Sequence, residues 1–182
     1  MKFLKGFLKL IGILVVLVLI NRWYVGGFAK LTVVEKDMWA YTIAYKNFVG
    51  EYSKVWPTIT KVYEILSGAG VTSETGVGIY YDDPAVVSWA DLRSDIGAVI
   101  ADNDASKLTK NPDIKIMKIS AGTKIVVEFP LKNSLSYMVG PMRAYPVIAK
   151  YMKEKGYTHE VPMIELYGMT AKKIYFIADI SN

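Results

Sequence analysis

One carboxylate interrupts an apolar segment near the C-terminus, and it is the residue best suited to chemistry. In residues 163–167 (MIELY), strand alternation puts Glu165 and Tyr167 on one face and the aliphatic residues on the other. A carboxylate inside such a strand is costly unless it is paired or reaches water. Between aromatic walls it could neutralise a cation, and with a raised pKa it could act as an acid or base. The alternatives are a Glu165 that points to water from an edge strand or pairs with a lysine.

Aromatic residues could supply the walls of such a site. The chain has 13 Tyr and 4 Trp, whose apolar rings and polar tips suit clefts as well as cores. Trp39 and Tyr41 belong to an alternating aromatic strand face, and Trp89 follows a polar turn. For each aromatic residue taken singly, core filling is the commoner role. The predicted ligand-binding set is Glu165, Tyr167, Tyr80, Trp39, Tyr41 and Trp89.

The sequence lacks residue types that several kinds of site require. There is no Cys and a single His, His159, which excludes thiolate chemistry and His-rich metal sites. The pair Asp82-Asp83 precedes Pro84, which is typical of a turn. We expect no metal and no cofactor. We favour a non-enzymatic role and assign a catalytic function only to Glu165, in the case that the protein is an enzyme.

The charge pattern bears on nucleic-acid binding. The formal net charge is +5, and the lysines are scattered along the chain. Nucleic-acid binding would need a basic stripe on a recognisable module. We therefore expect no nucleic-acid partner.

An internal repeat determines the expected architecture. Residues 56–61 (WPTITK) return as residues 145–150 (YPVIAK), and each copy is followed by a glycine-containing stop and a short apolar strand. Aligning these strands places Tyr80 opposite Glu165 as its counterpart. Both halves, at about 31–101 and 114–181, have the pattern strand, helix, strand, strand. The predicted fold is α+β, with duplicated units forming one antiparallel sheet and the helices on one of its faces.

The N-terminus has the features of a membrane segment. Lysines precede the apolar run of residues 10–20, and extending it to residues 7–24 reaches spanning length. We predict an uncleaved anchor at 1–27 and a domain at 28–182, although a cleavable signal or a buried helix would also suit the run. The lysines favour a single-pass membrane protein with its domain on the outer side, and the membrane is then a partner through residues 7–24.

Several motifs together resemble the GyrI-like domain, the effector-binding domain of many AraC-type regulators. They are residues 78–84 (GIYYDDP), 92–97 (LRSDIG), 119–127 (ISAGTKIVV) and 164–167 (IELY), and the match covers about residues 32–180. The resemblance implies a duplicated strand-helix-strand-strand fold that binds small aromatic or cationic molecules in a groove between halves. It also implies that Glu165 faces this groove.

The same resemblance leaves three functions open. The favoured one is a membrane-tethered binding domain for small aromatic or cationic molecules. A membrane-associated adaptor is the second, and a hydrolase of electrophilic xenobiotics that uses Glu165 is the third. Testis-expressed membrane proteins of the autophagy-receptor type are similar, but they act through a long tail. Because this chain stops at Asn182, we do not expect the receptor role.

Overall fold

The structure, a computed structural model, describes residues 2–24, 27–158 and 162–180, so the lone His159 lies outside the described residues. The helices are α1 (Lys2–Tyr24), α2 (Trp56–Gly68), α3 (Ala105–Leu108) and α4 (Ser136–Lys155). The strands are β1 (Val33–Met38), β2 (Tyr41–Val49), β3 (Thr75–Tyr80), β4 (Arg93–Ile100), β5 (Lys115–Ile119), β6 (Gly122–Pro130), β7 (Met163–Gly168) and β8 (Lys173–Asp179).

The N-terminal helix α1 differs from the sequence prediction. Among the described residues, no helix is both long and apolar enough to span a bilayer. This finding corrects the predicted transmembrane helix at residues 7–24 and the predicted single-pass membrane localisation, and it leaves the membrane partner without support. The apolar run of residues 10–20 accounts for the difference. At about 1.5 Å per residue, it covers about half of a hydrocarbon core of ~30 Å.

The strands form one curled antiparallel sheet in the order β1-β6-β8-β7-β3-β4-β2-β5. The two halves meet at its centre, where β3 pairs with β7. Helix α2 packs on β2 and β4, and α4 packs on β6 and β8. The predicted α+β class, with an antiparallel sheet and helices, is confirmed.

The sheet curls because each edge strand runs directly, along the chain, into an inner strand at the opposite end of the sheet. Edge strand β1 leads into β2, and edge strand β5 leads into β6. Met38 of β1 pairs with Gly122, and Tyr41 of β2 pairs with Ile119, so one register continues across both interruptions. The inner face of the curl is apolar and packs residues from both ends of the sheet, including Met38 and Met117. Strand β5 was missed by the sequence prediction, which began the second half's first strand at residue 123.

Local sequence explains where the main helices begin and end. Pro57 lies in the first turn of α2, where its missing N–H costs nothing. Val62 and Leu66 of α2 are buried against the sheet at helical spacing. Helix α4 ends at Lys155, and the following Gly156 has a φ of +73°, the left-handed conformation that glycine adopts readily. Both helices cover the sheet, and residues of each line a cleft together with residues of β3 and β7.

Helix α4 approaches the sheet closely at a glycine. A Cβ placed on Gly140 would lie 2.8 Å from Cζ of Phe176, which is buried on β8. We expect Gly140→Ala to lower the free energy of unfolding by about 1–3 kcal/mol, because the added methyl group overpacks the core. Urea denaturation would measure the change.

Gly68→Ala is the matched control, because a Cβ at this helical position has no neighbouring atom within 4 Å. It should leave stability unchanged or slightly higher. Equal destabilisation by both substitutions would contradict the assigned packing of α4 on β8.

Candidate functional site

A cleft of about 1710 Å³ opens between α2 and α4. Its floor is formed by the cleft-facing residues of β3 and β7, the two central strands of the sheet. Its walls are mainly aromatic and aliphatic, with several methionines. The residues that define it best are Tyr52, Trp56, Ile59, Tyr63, Tyr80, Tyr137, Met138, Met142, Tyr145, Met163, Glu165, Tyr167 and Met169.

The glycines of β3 make room for the tyrosine rings that form the floor. Gly78 pairs with Glu165 across the β3–β7 ladder. A Cβ on Gly78 would lie 2.8 Å from the Tyr80 ring, so the ring occupies the space above this glycine. The sequence repeat predicts Tyr80 as the counterpart of Glu165; in the antiparallel β3–β7 ladder, the cross-strand partner of Tyr80 is Met163.

Glu165 is the centre of the floor and is almost fully buried, with 3% of its surface exposed. Tyr145 of α4 donates a hydrogen bond to Oε1. Tyr167 donates to Oε2 at 2.7 Å. Both carboxylate oxygens therefore accept a tyrosine proton, which compensates part of the cost of removing the charge from water.

A third tyrosine extends this cluster. The hydroxyl oxygens of Tyr80 and Tyr167 are 2.9 Å apart. The rings continue outward in edge-to-face contacts, with Tyr52 at 4.8 Å from Tyr80 and Tyr137 at 5.5 Å from Tyr167 between ring centroids. Such contacts hold the rings in fixed orientations. We refer to Glu165, Tyr80, Tyr145 and Tyr167 as the Glu165 cluster.

Burial changes the protonation chemistry of the cluster. Desolvation raises the pKa of Glu165 from its ordinary 4.5 to about 7, and the hydrogen bonds from Tyr145 and Tyr167 limit the increase. Desolvation and the negative charge of Glu165 also raise the pKa of Tyr80, Tyr145 and Tyr167. The three hydroxyls therefore remain protonated, while Glu165 titrates near neutral pH.

The charged groups around the cleft are of one sign. Among the described residues that line it, none is cationic, while Glu64, Glu74, Asp82 and Asp83 join Glu165 as acidic ones. Asp82 is paired with Arg93, whose Nη2 is 2.7 Å from Oδ1. The field of the remaining carboxylates favours a cation and disfavours an anion. Elsewhere in the described ranges, no group of three or more His, Cys, Asp and Glu side chains is arranged to hold a metal.

The structure brings three of the six predicted site residues together and places three elsewhere. Glu165, Tyr167 and Tyr80 meet on the cleft floor. Tyr41 lies on the inner face of the sheet, where burial raises its pKa to about 12. Trp39 lies between β1 and β2 with 89% of its surface exposed, and Trp89 lies in the β3–β4 loop with 63% exposed.

The predicted set omitted Tyr145, the second tyrosine that bonds directly to Glu165. The repeat contained the signal, because Tyr145 stands where the first copy has Trp56, and both line the cleft. Tyr137 and Tyr52 precede the repeated motifs in the sequence. Their contacts depend on how the segments before α2 and the start of α4 fold back over the floor, which local spacing does not specify.

Comparisons with known proteins agree with the fold. No known family profile matches the chain. Testis-expressed protein 264 homolog of Mus musculus is 24% identical over 148 residues, which cover 78% of this chain and 45% of the relative. Testis-expressed protein 264 of Homo sapiens is 25% identical over the same shares of both chains. The chain therefore spans less than half the length of the curated relatives it matches.

Two solved structures overlay well. The EcmrR C-terminal domain has a TM-score of 0.60 and 17% identity, covering 81% of this chain and 94% of that one. EcmrR in its complex with DNA has a TM-score of 0.60 and 18% identity, covering 96% of this chain and 67% of that one. These neighbours are consistent with the GyrI-like fold that the sequence resemblance implies. At this level of identity the likeness shows the fold alone.

The buried carboxylate makes stability depend on pH. Because the pKa of Glu165 is raised in the folded state, the cost of burying its charge is absent below about pH 4.5 and reaches its full value above about pH 7. Glu165→Gln should therefore stabilise the fold at pH ~8 by up to about 3 kcal/mol, at ~1.36 kcal/mol per pKa unit. At pH ~4 the variant and the wild type should be alike. Thermal melts at both pH values would test this.

Glu154→Gln removes an exposed carboxylate from α4 and serves as the control. Its effect should be small at both pH values. A Glu165→Gln variant that is less stable than the wild type at pH ~8 would contradict the cost assigned to the buried charge.

Proposed function

We propose that the protein binds small aromatic or cationic molecules in the cleft between its two pseudo-symmetric halves. The observation that carries the proposal is Glu165, a buried carboxylate at the floor of an open cleft with aromatic walls. Among the cleft-lining residues that the structure describes, none offers this carboxylate a cationic partner. A ligand cation would supply that partner.

The physical conditions for cation binding are favourable in the cleft. Coulombic attraction to Glu165 is stronger in a dry site than in water. The Tyr80 and Tyr137 rings offer faces and edges against which an aromatic ligand or an organic cation can pack. The exposed carboxylates of Glu64 and Glu74 add a long-range attraction at the rim.

The cleft itself argues against an adaptor role. An adaptor would have its groove filled by its own side chains, whereas this cleft has a volume of about 1710 Å³. This volume exceeds the ~300–1,000 Å³ of typical ligand pockets, so an aromatic molecule of several rings fits.

The expected absence of nucleic-acid binding remains a prediction.

We expect a lipophilic aromatic cation such as N-methylacridinium to bind more tightly as the pH rises and to reach a plateau above about pH 7. The cation and the proton compete for Glu165, whose pKa is about 7 in the free protein. Glu165→Gln should weaken binding at pH ~8 by at least about tenfold, or ~1.4 kcal/mol, and should abolish the pH dependence. Fluorescence titration would measure both effects.

Glu154→Gln is again the matched control and should bind like the wild type, because its carboxylate lies on the outer surface of α4. The proposal fails if N-methylacridinium does not bind the wild type. It also fails if Glu165→Gln binds the cation as tightly as the wild type at pH ~8.

The protonation chemistry of the Glu165 cluster also suits a hydrolase of electrophilic xenobiotics. A carboxylate with a pKa near 7 can accept a proton from water, and once Glu165 is protonated, a rearrangement of the Tyr167–Tyr80 hydrogen bonds frees one hydroxyl proton to donate to a departing phenolate. For this second function, a cyclopropane-bearing electrophile is expected to be turned over by the wild type and not by Glu165→Ala. Product formation followed by chromatography would decide, and equal rates for both proteins would exclude it.

A further inference from the structure

When Glu165 is ionised, the three tyrosine hydroxyl protons of the Glu165 cluster are all used in hydrogen bonds that lead to its carboxylate. An ionised carboxylate only accepts hydrogen bonds, so Tyr145 and Tyr167 must both donate to it. Because the Tyr167 proton is used in this way, the 2.9 Å contact between Tyr80 and Tyr167 must be donated by Tyr80. Every tyrosine proton is then directed toward Glu165, and the hydroxyls of Tyr80 and Tyr145 have only lone pairs left for the cleft.

Protonation of Glu165 reverses part of this arrangement. A carboxylic acid must donate its own proton, and its available partners are the two hydroxyls that previously donated to it. If Oε2 carries the proton, Tyr167 turns its hydroxyl proton to Tyr80, and Tyr80 turns its own outward. If Oε1 carries it, Tyr145 turns outward. In both cases the number of hydroxyl donors that face the cleft rises by one.

We propose that the Glu165 cluster selects between two ligand classes by its protonation: cations and N–H donors when Glu165 is ionised, and neutral aromatic molecules with a carbonyl acceptor when it is protonated. The inference rests on the proposed ligand cleft and goes further by naming a second ligand class. Tyr80 and Tyr145 are the specificity-determining residues, since one of them presents the outward proton. They act as the two ends of a hydrogen-bonded chain that passes through Glu165.

The residues packed around the Glu165 cluster do not take part in this change of hydrogen bonding. Two further tyrosines pack edge-on against the cluster: Tyr52 against Tyr80 from the segment before α2, and Tyr137 of α4 against Tyr167. Helix α2 contributes Ile59 above the floor, and β8 contributes Phe176 as the strand neighbour of Glu165. Arg93, whose backbone oxygen accepts a hydrogen bond from Tyr52, has its guanidinium held by Asp82. With a pKa of about 7 for Glu165, both protonation states are populated close to neutral pH.

The test compares two ligands of nearly identical shape. N-methylacridone is neutral and has a carbonyl acceptor where N-methylacridinium, its cationic counterpart, has a ring C–H. Titrated into the wild-type protein, the ketone should bind about fivefold more tightly at pH ~5 than at pH ~8, which is the effect of one added hydrogen bond. The cation should show the opposite trend. Equal affinity of the ketone at both pH values would overturn the proposal.

Two variants identify the groups responsible. The side-chain amide introduced by Glu165→Gln both accepts and donates, so it mimics the protonated acid. This variant should bind the ketone at pH ~8 as tightly as the wild type does at pH ~5. The double variant Tyr80→Phe with Tyr145→Phe should lose the pH response of the ketone. Tyr151→Phe, which changes a tyrosine bonded to Glu35 outside the cleft, is the control.

The outcomes separate this inference from the proposed function. Tight binding of the cation with a ketone affinity that neither pH nor Glu165→Gln alters would leave the cation site standing and overturn the selection between ligand classes. Failure of both probes to bind at either pH would overturn both. Retention of the ketone's pH response in the double variant would show that another group presents the proton, which contradicts the assignment to Tyr80 and Tyr145.

Discussion

The carboxylate of Glu165 is the constraint around which the cleft is built. Removing an ionised carboxylate from water costs several kcal/mol unless other groups replace the lost hydrogen bonds. Tyr145 and Tyr167 supply two of them, and they come from a helix and a strand of the same half. This compensation is partial, since the pKa of Glu165 remains raised to about 7. The site therefore still favours a positive charge or a proton next to Glu165. The surrounding rings, which pack edge to face, determine the shape of a ligand that could reach it.

The duplication explains how one fold produces such a site at its centre. Two similar units place one strand each side by side at the centre of the sheet, where β3 and β7 form an antiparallel ladder. On the inner face both strands are aliphatic, as packing inside the curl requires. On the cleft face the halves diverge. Strand β3 has Gly76 and Gly78 where β7 has bulkier residues, and Tyr80 leans over Gly78 toward Glu165 and Tyr167. The duplication thus produces the groove, and the difference between β3 and β7 on the cleft face produces the Glu165 cluster.

Sequence patterns predicted the parts of this structure that depend on local periodicity. The alternation in residues 163–167 was enough to put Glu165 and Tyr167 on one face, and the repeat was enough to single out Tyr80 on the matching strand of the first half, whose hydroxyl contacts that of Tyr167. The patterns were weaker where long-range geometry decides. Tyr41 has the same strand alternation as a groove residue, but the curl of the sheet turns its face inward. Trp39 falls in the break between β1 and β2. The apolar run in α1 predicted a membrane helix from composition, and the described helix lacks the apolar length.

Desolvation connects the stability of the fold with its proposed function. The low polarity that makes an ionised Glu165 costly also strengthens its attraction to a cation, because both effects scale inversely with the local dielectric. A bound cation would remove the cost that burial imposes, so the free energy lost in folding a charge into the floor is regained in the complex. Exposed carboxylates such as Glu64 cannot act in this way, because water already screens them. The buried carboxylate at the cleft floor, held by tyrosines, is therefore the group on which the proposed affinity of the cleft for cations depends.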